Sequence, residues 1–275
     1  MKYRLFASDI DNTLIGFGQK TASAGVRDAL RRIQKAGIPL VLSTGRGPAA
    51  ISKTLLGSLK PDYIACCGGA YVIDRAGKEV VAMPLTPEEM YALTDWCEDY
   101  EFPLLFSYRD GYYVYVRYQY FYDAYAFDPV SQGAIFDGED RDRHLIDMPF
   151  AAAAIMSRAG YQGFLEKYGY LSMNLFPVNI TGDTVILDIT GAGIDKGTGL
   201  AALGRQLGIG TEEMAAAGDS DNDLRMLEAV GLGCCMENGS EAARKAADLL
   251  IPPVSEDGVA VLCRRLWPEL WDGQN

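Results

Sequence analysis

Apolar positions follow two rhythms along this chain, and the places where one gives way to the other mark its organisation. Tyr3 to Ser8 is a short apolar run ending in acid, and Val26, Leu30 and Ile33 then recur at helical spacing until Gly37, which reads as a helix C-terminal cap. Ile38 to Ser43 reads as a second buried strand, Pro48 to Leu56 as a helical stretch, and Tyr63 to Cys67 as a third strand with Gly68 and Gly69 behind it. Strand, helix, strand, helix, strand predicts a doubly wound parallel sheet, whose right-handed crossovers leave ligands at the carboxyl ends of the strands.

Near residue 83 the rhythm changes. Thr86, Pro87 and Glu89 form a capping box with proline at the first helical position, opening an amphipathic helix through Met90, Leu93 and Cys97. A tyrosine-rich hairpin follows, Leu104 to Tyr108 and Tyr112 to Arg117, turned by Asp110 and Gly111. A helix-like segment at Tyr161 to Tyr168 precedes two strands, Tyr170 to Phe176 and Thr184 to Ile189. Alternation then resumes: helix Lys196 to Leu207, strand Met214 to Ala217, helix Ser220 to Val230, strand Leu232 to Met236, helix Glu241 to Ala247 and strand Leu249 to Ile251. The expectation is an α/β protein: a Rossmann-like, doubly wound core from residues 1–82 and 188–275, interrupted by an α+β insert at 83–187.

Composition narrows the partners. Thirty-seven acidic residues against 25 basic ones leave a net charge of -12, a field that repels phosphate backbones and anionic lipid, so nucleic acid is not expected as a partner. The longest apolar stretch, Phe150 to Met156, falls far short of the roughly 20 residues of a membrane span. Asp9 and Asp11 interrupt the N-terminal apolar run, so no secretory signal is read and a cytoplasmic protein is expected, as a monomer or small homo-oligomer. The six cysteines, Cys66, Cys67, Cys97, Cys234, Cys235 and Cys263, have neither disulfide-framework nor zinc spacing and read as buried thiols. The single histidine, His144, lies in the charged run Asp137 to Asp147 and reads as exposed, which leaves carboxylates, lysine, hydroxyls or a metal for any chemistry.

The candidate groups stand where strands end. Asp9 and Asp11 leave the first strand two residues apart, with Thr13 behind them. Two carboxylates beside one phosphate repel it: at ~4 Å and an effective dielectric of ~20, each like pair costs on the order of 4 kcal/mol, so a cation is required. Gly218-Asp219-Ser220-Asp221-Asn222-Asp223 follows a later strand, and Asp219 offers a hard oxygen to a metal such as magnesium, while Asp223 can orient the ion or its waters. Lys196 opens another helix and can neutralise phosphate and carboxylate alike. Ser43-Thr44-Gly45-Arg46 ends the second strand and supplies a hydroxyl, a glycine amide and a helix N-terminus for phosphate oxygens. Each segment alone has an ordinary structural reading as a turn, a helix start or a surface lysine; their common order at one sheet edge does not.

Asp9-x-Asp11-x-Thr13, then Thr44-Gly45-Arg46, then Lys196, then Gly218-Asp219-x-x-Asn222-Asp223 resembles the four ordered motifs of the haloacid dehalogenase superfamily, specifically its Cof-type phosphatases with a C2-type cap (subclass IIB). The likeness spans the chain, with the insert in the cap's place and Asn238 and Gly258 echoing the terminal segments; Asn12 stands where glycine is common, and Gly68-Gly69 where Asn-Gly is frequent. The resemblance implies Asp9 as nucleophile, Asp11 as acid and base, Lys196 as charge stabiliser, and Mg2+ held by Asp9, Asp11 through its carbonyl, Asp219 and Asp223. It further implies Thr44, Gly45, Arg46 and Asn222 around the substrate, with Thr13 bracing the nucleophile loop. The substrate would be a small phosphate ester. Transfer to another hydroxyl, as in a phosphomutase, and a non-hydrolytic phospho-receiver are the competing readings. In the insert, the tyrosines between Tyr108 and Tyr125, with Arg117 and Asn174, are candidate substrate contacts, although alternation along the hairpin sends some of these rings into packing.

Overall fold

The structure, a computed structural model, describes residues 2–126, 128–138 and 142–271. Its contacts gather into two units, one formed by Met1–Thr44, Ser52–Val81 and Asp195–Asn275, the other by Gly45–Ile51 and Ala82–Ile194.

The first unit is built on an eight-stranded sheet in the order Leu249–Ile251, Leu232–Met236, Met214–Gly218, Leu5–Ser8, Leu40–Ser43, Tyr63–Cys66, Tyr71–Asp74, Glu79–Ala82. The first six strands run parallel. Alternation within the first strand sends Phe6 to a core shared with helices Ala24–Lys35 and Gly258–Leu266, and Leu5 and Ala7 to a core shared with Lys196–Leu207, Leu224–Ala229 and Glu241–Ala246. Burial on both faces is why these strands read as continuous apolar runs. The wholly parallel expectation needs one correction: Tyr71–Asp74 turns back antiparallel to Tyr63–Cys66. A tight turn, in which Asp74 Oδ1 accepts the amides of Ala76 and Lys78 at 2.9 Å, joins it to Glu79–Ala82. Such an edge hairpin needs no crossover helix and leaves no helical rhythm in the sequence.

Two further expectations change, the first where the chain passes from the second unit back to the first at residue 52. The helix read over Pro48 to Leu56 is one 3-10 turn, Pro48–Ala50, after which Ile51 is extended; Ser52 then bonds the amide and hydroxyl of Thr54, the local side-chain pairing that competes with helix. Ser220 to Val230 divides into a 3-10 turn, Asp221–Asp223, and helix Leu224–Ala229. The cap at Gly37 is as read, with φ +82°.

The second unit has a six-stranded sheet in the order Asn174–Thr181, Thr184–Thr190, Ala151–Ser157, Leu104–Ser107, Tyr112–Val116, Ile135–Asp137, antiparallel except for the last pair. Helices Pro87–Asp99 and Arg158–Tyr168 bury Met90, Leu93, Trp96 and Phe164 on one face. The capping box is present: Thr86 Oγ1 accepts the Glu89 amide at 3.2 Å, and Glu89 Oε2 accepts the Thr86 amide at 2.7 Å. Phe150 to Met156, which stood out only as an apolar stretch, supplies a central strand. The strand read from Tyr170 begins instead at Asn174, because Gly169–Leu171 is a 3-10 turn and Ser172 is left-handed. Tyr108, Tyr112 and Tyr115 are buried, with Tyr112 facing Ala50 and Phe121 on one side of the sheet and Tyr115 facing Phe106 on the other, so these rings are packing. His144 is half-buried rather than exposed, its Nε2 2.9 Å from the Tyr91 hydroxyl. Glu139, Asp140 and Arg141 of the charged run lie outside the described residues. All six cysteines are buried free thiols. Among the described residues no helix is long and apolar enough to cross a membrane.

Candidate active site

Sheet order alone concentrates the chemistry. The strand carrying Asp9 lies between the strands that end in Gly218 and Ser43, at the point where the winding of the sheet reverses and loops part to leave a crevice. The Asp9 amide donates to the Ala217 carbonyl at 2.9 Å, extending the parallel ladder one residue past the strand and fixing Asp9 beside the Gly218–Asp223 loop. The Thr44 amide donates to Ala65 at 2.8 Å and its carbonyl accepts the Gly68 amide at 3.0 Å, so this turn is locked to the next strand end.

Lys196 arrives from the opposite side of the sequence. Asp195 caps its helix, Oδ1 accepting the Thr198 amide at 2.8 Å, while Thr198 Oγ1 accepts the Asp195 amide at 2.8 Å. Two glycines let that helix end close on the third strand. A Cβ at Gly69, whose φ is +95°, would stand 2.3 Å from the Asp195 carbonyl, and one at Gly199 would stand 2.6 Å from the Gly69 Cα. Gly69, part of the Gly68-Gly69 departure from the family pattern, thus serves a close approach with Gly199.

At the centre, Lys196 Nζ donates to Asp9 Oδ1 at 2.6 Å, Asp223 Oδ1 at 2.6 Å and Asn222 Oδ1 at 3.0 Å, using all three ammonium protons. Lys196 is 2% exposed, Asp9 6% and Asp223 0%, so the pairing is out of water. Asp223 Oδ2 accepts the amides of Asp219 and Ser220 at 2.9 and 3.0 Å, tying the loop around its own carboxylate. Thr13 Oγ1 donates to Asp219 Oδ1 at 3.1 Å. Ser220, not among the expected residues, donates to Asn222 Oδ1 at 2.9 Å and so orients the lysine's third partner.

Charge here is unbalanced. Carboxylate oxygens of Asp9, Asp219 and Asp223 lie within 4.8 Å of one another, facing one ammonium. Burial pushes the Asp9 carboxyl up to about 8; Lys196 pulls the other way and Asp223 adds to the rise. Burial, then Asp223, pushes Asp219 up to about 6. Burial works against the Lys196 ammonium, but Asp223 and Asp9 hold it well above the ordinary lysine value. An all-oxygen, anion-rich donor set with protons held against their usual affinity fits a hard divalent cation such as magnesium.

Of the expected residues, the structure brings together Asp9, Thr13, Lys196, Asp219, Asn222 and Asp223. Asp11 is exposed, its backbone bridged to Ile15, and its charge contributes to the rise at Asp219. Gly45 and Arg46 group with the second unit, where Arg46 Nη1 donates to Asp128 Oδ2 at 3.1 Å and the Gly47 amide donates to the Tyr112 hydroxyl at 2.8 Å. The insert candidates are engaged as well: Arg117 pairs with Glu101, and Asn174 Nδ2 donates to the Ile194 carbonyl at 2.6 Å.

Residues 6–262 match the family of haloacid dehalogenase-like hydrolases. Phosphatase YwpJ of Bacillus subtilis is 26% identical over 300 aligned positions, covering 96% of this chain and 99% of that protein. 5-Amino-6-(5-phospho-D-ribitylamino)uracil phosphatase YitU, also of Bacillus subtilis, is 26% identical over 271 positions, covering 93% and 94%. Among solved structures, a sugar phosphatase of haloacid dehalogenase subclass IIB shares the fold with a TM-score of 0.79 at 21% identity, covering 96% of this chain and 98% of its own.

Proposed function

We propose, from the premise that this chain belongs to the haloacid dehalogenase-like hydrolases, that it is a Cof-type phosphatase releasing phosphate from small phosphorylated metabolites with the help of Mg2+. The observation that carries this reading is the buried lysine joining Asp9 to Asp223 at 2.6 Å beside a third carboxylate. A structural ion pair needs no third acid, whereas phosphoryl transfer needs positioned charge of both signs.

In this reading an Asp9 oxygen attacks phosphorus, the bond from phosphorus to the ester oxygen breaks, and the leaving alkoxide takes a proton from Asp11. Water then attacks the aspartyl-phosphate, giving its proton to Asp11 as the bond to Asp9 breaks, so one difficult displacement becomes two easier ones. Lys196 holds Asp9 in place and faces the charge that develops on the phosphoryl oxygens. Asn222 and Ser220 keep the ammonium aimed. Thr44, at the neighbouring strand end, would bind a phosphoryl oxygen. Asp9, Asp219 and Asp223 with the Asp11 carbonyl would hold Mg2+, which supplies charge neutralisation when bound.

A panel of phosphorylated metabolites, neutral polyol and sugar monophosphates included, should release inorganic phosphate with Mg2+ and not with EDTA. Asp9→Asn should lower kcat on the order of 10⁴-fold or more, and rapid quenching should trap phosphate on the Asp9 peptide of the wild-type enzyme alone. Undiminished turnover in Asp9→Asn would refute the assignment, and phosphate passing to a second hydroxyl without release would make the protein a mutase.

A further inference from the structure

Asp219 is held from three directions, one of which lies outside the expected junctions. Its amide donates to Asp223 Oδ2 at 2.9 Å and its carboxylate accepts from Thr13 at 3.1 Å. Its carbonyl accepts the Ser240 amide at 2.7 Å. Ser240 belongs to the turn after strand Leu232–Met236, closed by the Gly239 amide on the Met236 carbonyl at 2.9 Å. The Ser240 hydroxyl accepts the Ala243 amide at 3.1 Å, capping helix Glu241–Ala246, and donates to the Asp221 carboxylate. One residue thus ties the Asp219 carbonyl and the Asp221 side chain to a separate helix. Before it, Gly239 has no spare room: a Cβ would stand 2.7 Å from the Asp219 carbonyl and 2.7 Å from Cys235 Sγ.

With its amide and carbonyl both pinned, Asp219 has fixed φ and ψ, and Thr13 restrains what is left of its carboxylate's freedom. We infer that Gly239 and Ser240 are positioning residues that set the affinity of this chain for Mg2+ without touching the ion. The inference rests on the metal-dependent reading above. Displacing a ligand by about 0.5 Å is enough to spoil such a site, and losing a group that orients a ligand typically costs 10–100-fold in metal affinity.

The test titrates MgCl2 against thermal unfolding of the full chain without substrate, for the wild type and for Gly239→Ala, Ser240→Ala and Ser240→Thr. Gly239→Ala should move the Mg2+ midpoint upward on the order of ten-fold, Ser240→Ala less, and Ser240→Thr, which keeps the hydroxyl, should restore it. The Mg2+ dependence of kcat/KM should move by the same factor, with KM for the ester unchanged at saturating Mg2+. Variants that unfold at lower temperature with a wild-type Mg2+ midpoint would overturn the inference, leaving the turn as plain scaffolding. If Gly239→Ala does not fold, the two Ser240 variants decide. A wild type whose unfolding ignores Mg2+ would instead remove the metal reading itself, and the inference with it.

Discussion

The two units of this chain bury different things. The first encloses Lys196 and Asp223 almost completely and stacks their hydrogen bonds at the ends of parallel strands. The second fills its interior with Trp96, Phe106, Tyr108 and Phe164 and keeps its ion pairs nearer water: Arg46 and Asp128 side chains are 26% and 18% exposed, Arg117 and Glu101 55% and 74%. Its buried Glu89 is satisfied differently, by hydrogen bonds from the Thr86 and Ala192 amides at 2.7 and 2.9 Å rather than by a cation. A desolvated ion cluster is a poor way to gain stability, because the cost of dehydrating each charge rivals the attraction recovered. Its presence in one unit and not at the centre of the other points to chemistry in the first and to shape in the second.

The sharpest way to break this contrast is Lys196→Met. It should abolish turnover and also destabilise the metal-free protein by about 3–5 kcal/mol, since the Asp223 carboxylate, though still bonded by two amides, is left buried without its cation; loss of activity at unchanged urea midpoint would show that the cluster is not desolvated as described. The counterpart in the second unit is Phe164→Ala, removing a fully buried ring, with an expected loss of about 3–5 kcal/mol in chemical unfolding and an unaltered Mg2+ midpoint.

A smaller effect separates the units by pH. Asp9 and Asp219 hold protons in the folded state up to about 8 and about 6, against 3.8 ordinarily, so between pH 4 and pH 8 the folded state binds more protons than the unfolded one. Stability of the metal-free protein must therefore fall as pH rises through that window. Urea midpoints in EDTA should decline from pH 5 to pH 8, and Asp9→Asn should flatten most of the slope; a slope of opposite sign contradicts the cluster as drawn. The smallest effect concerns Arg117, a left-handed residue at φ +63°. Arg117→Gly should stabilise by about 1 kcal/mol by relieving that conformation, with KM unchanged, whereas a raised KM would make Arg117 a substrate contact.

Much of the first unit was legible because its signals are local. A strand buried on both faces reads as an unbroken apolar run, and Asp9, Thr44 and Asp219 sit where such runs stop. The Thr86 capping box needs only four adjacent residues. Failures came where a competing interaction decided the outcome. Pro48 to Leu56 carries helical spacing, but Ser52 and Thr54 satisfy each other and Ala50 is taken into the core of the second unit. Phe150 to Met156 reads as apolar whether it forms a helix or a strand; pairing with Leu104–Ser107 and Thr184–Thr190 settles it.

From the order of its residues alone, this protein had its chemical groups, their succession and their places at strand ends determined, since a strand's face and terminus follow from side-chain alternation over a few positions. Only the tertiary structure decided which groups meet. Lys196 reaches Asp9 across 187 positions because two glycines let backbones touch, Arg46 pairs with Asp128, and Ser240 closes on Asp219. Such contacts depend on which strands lie side by side and on how near one backbone can come to another, quantities that no short stretch of sequence contains.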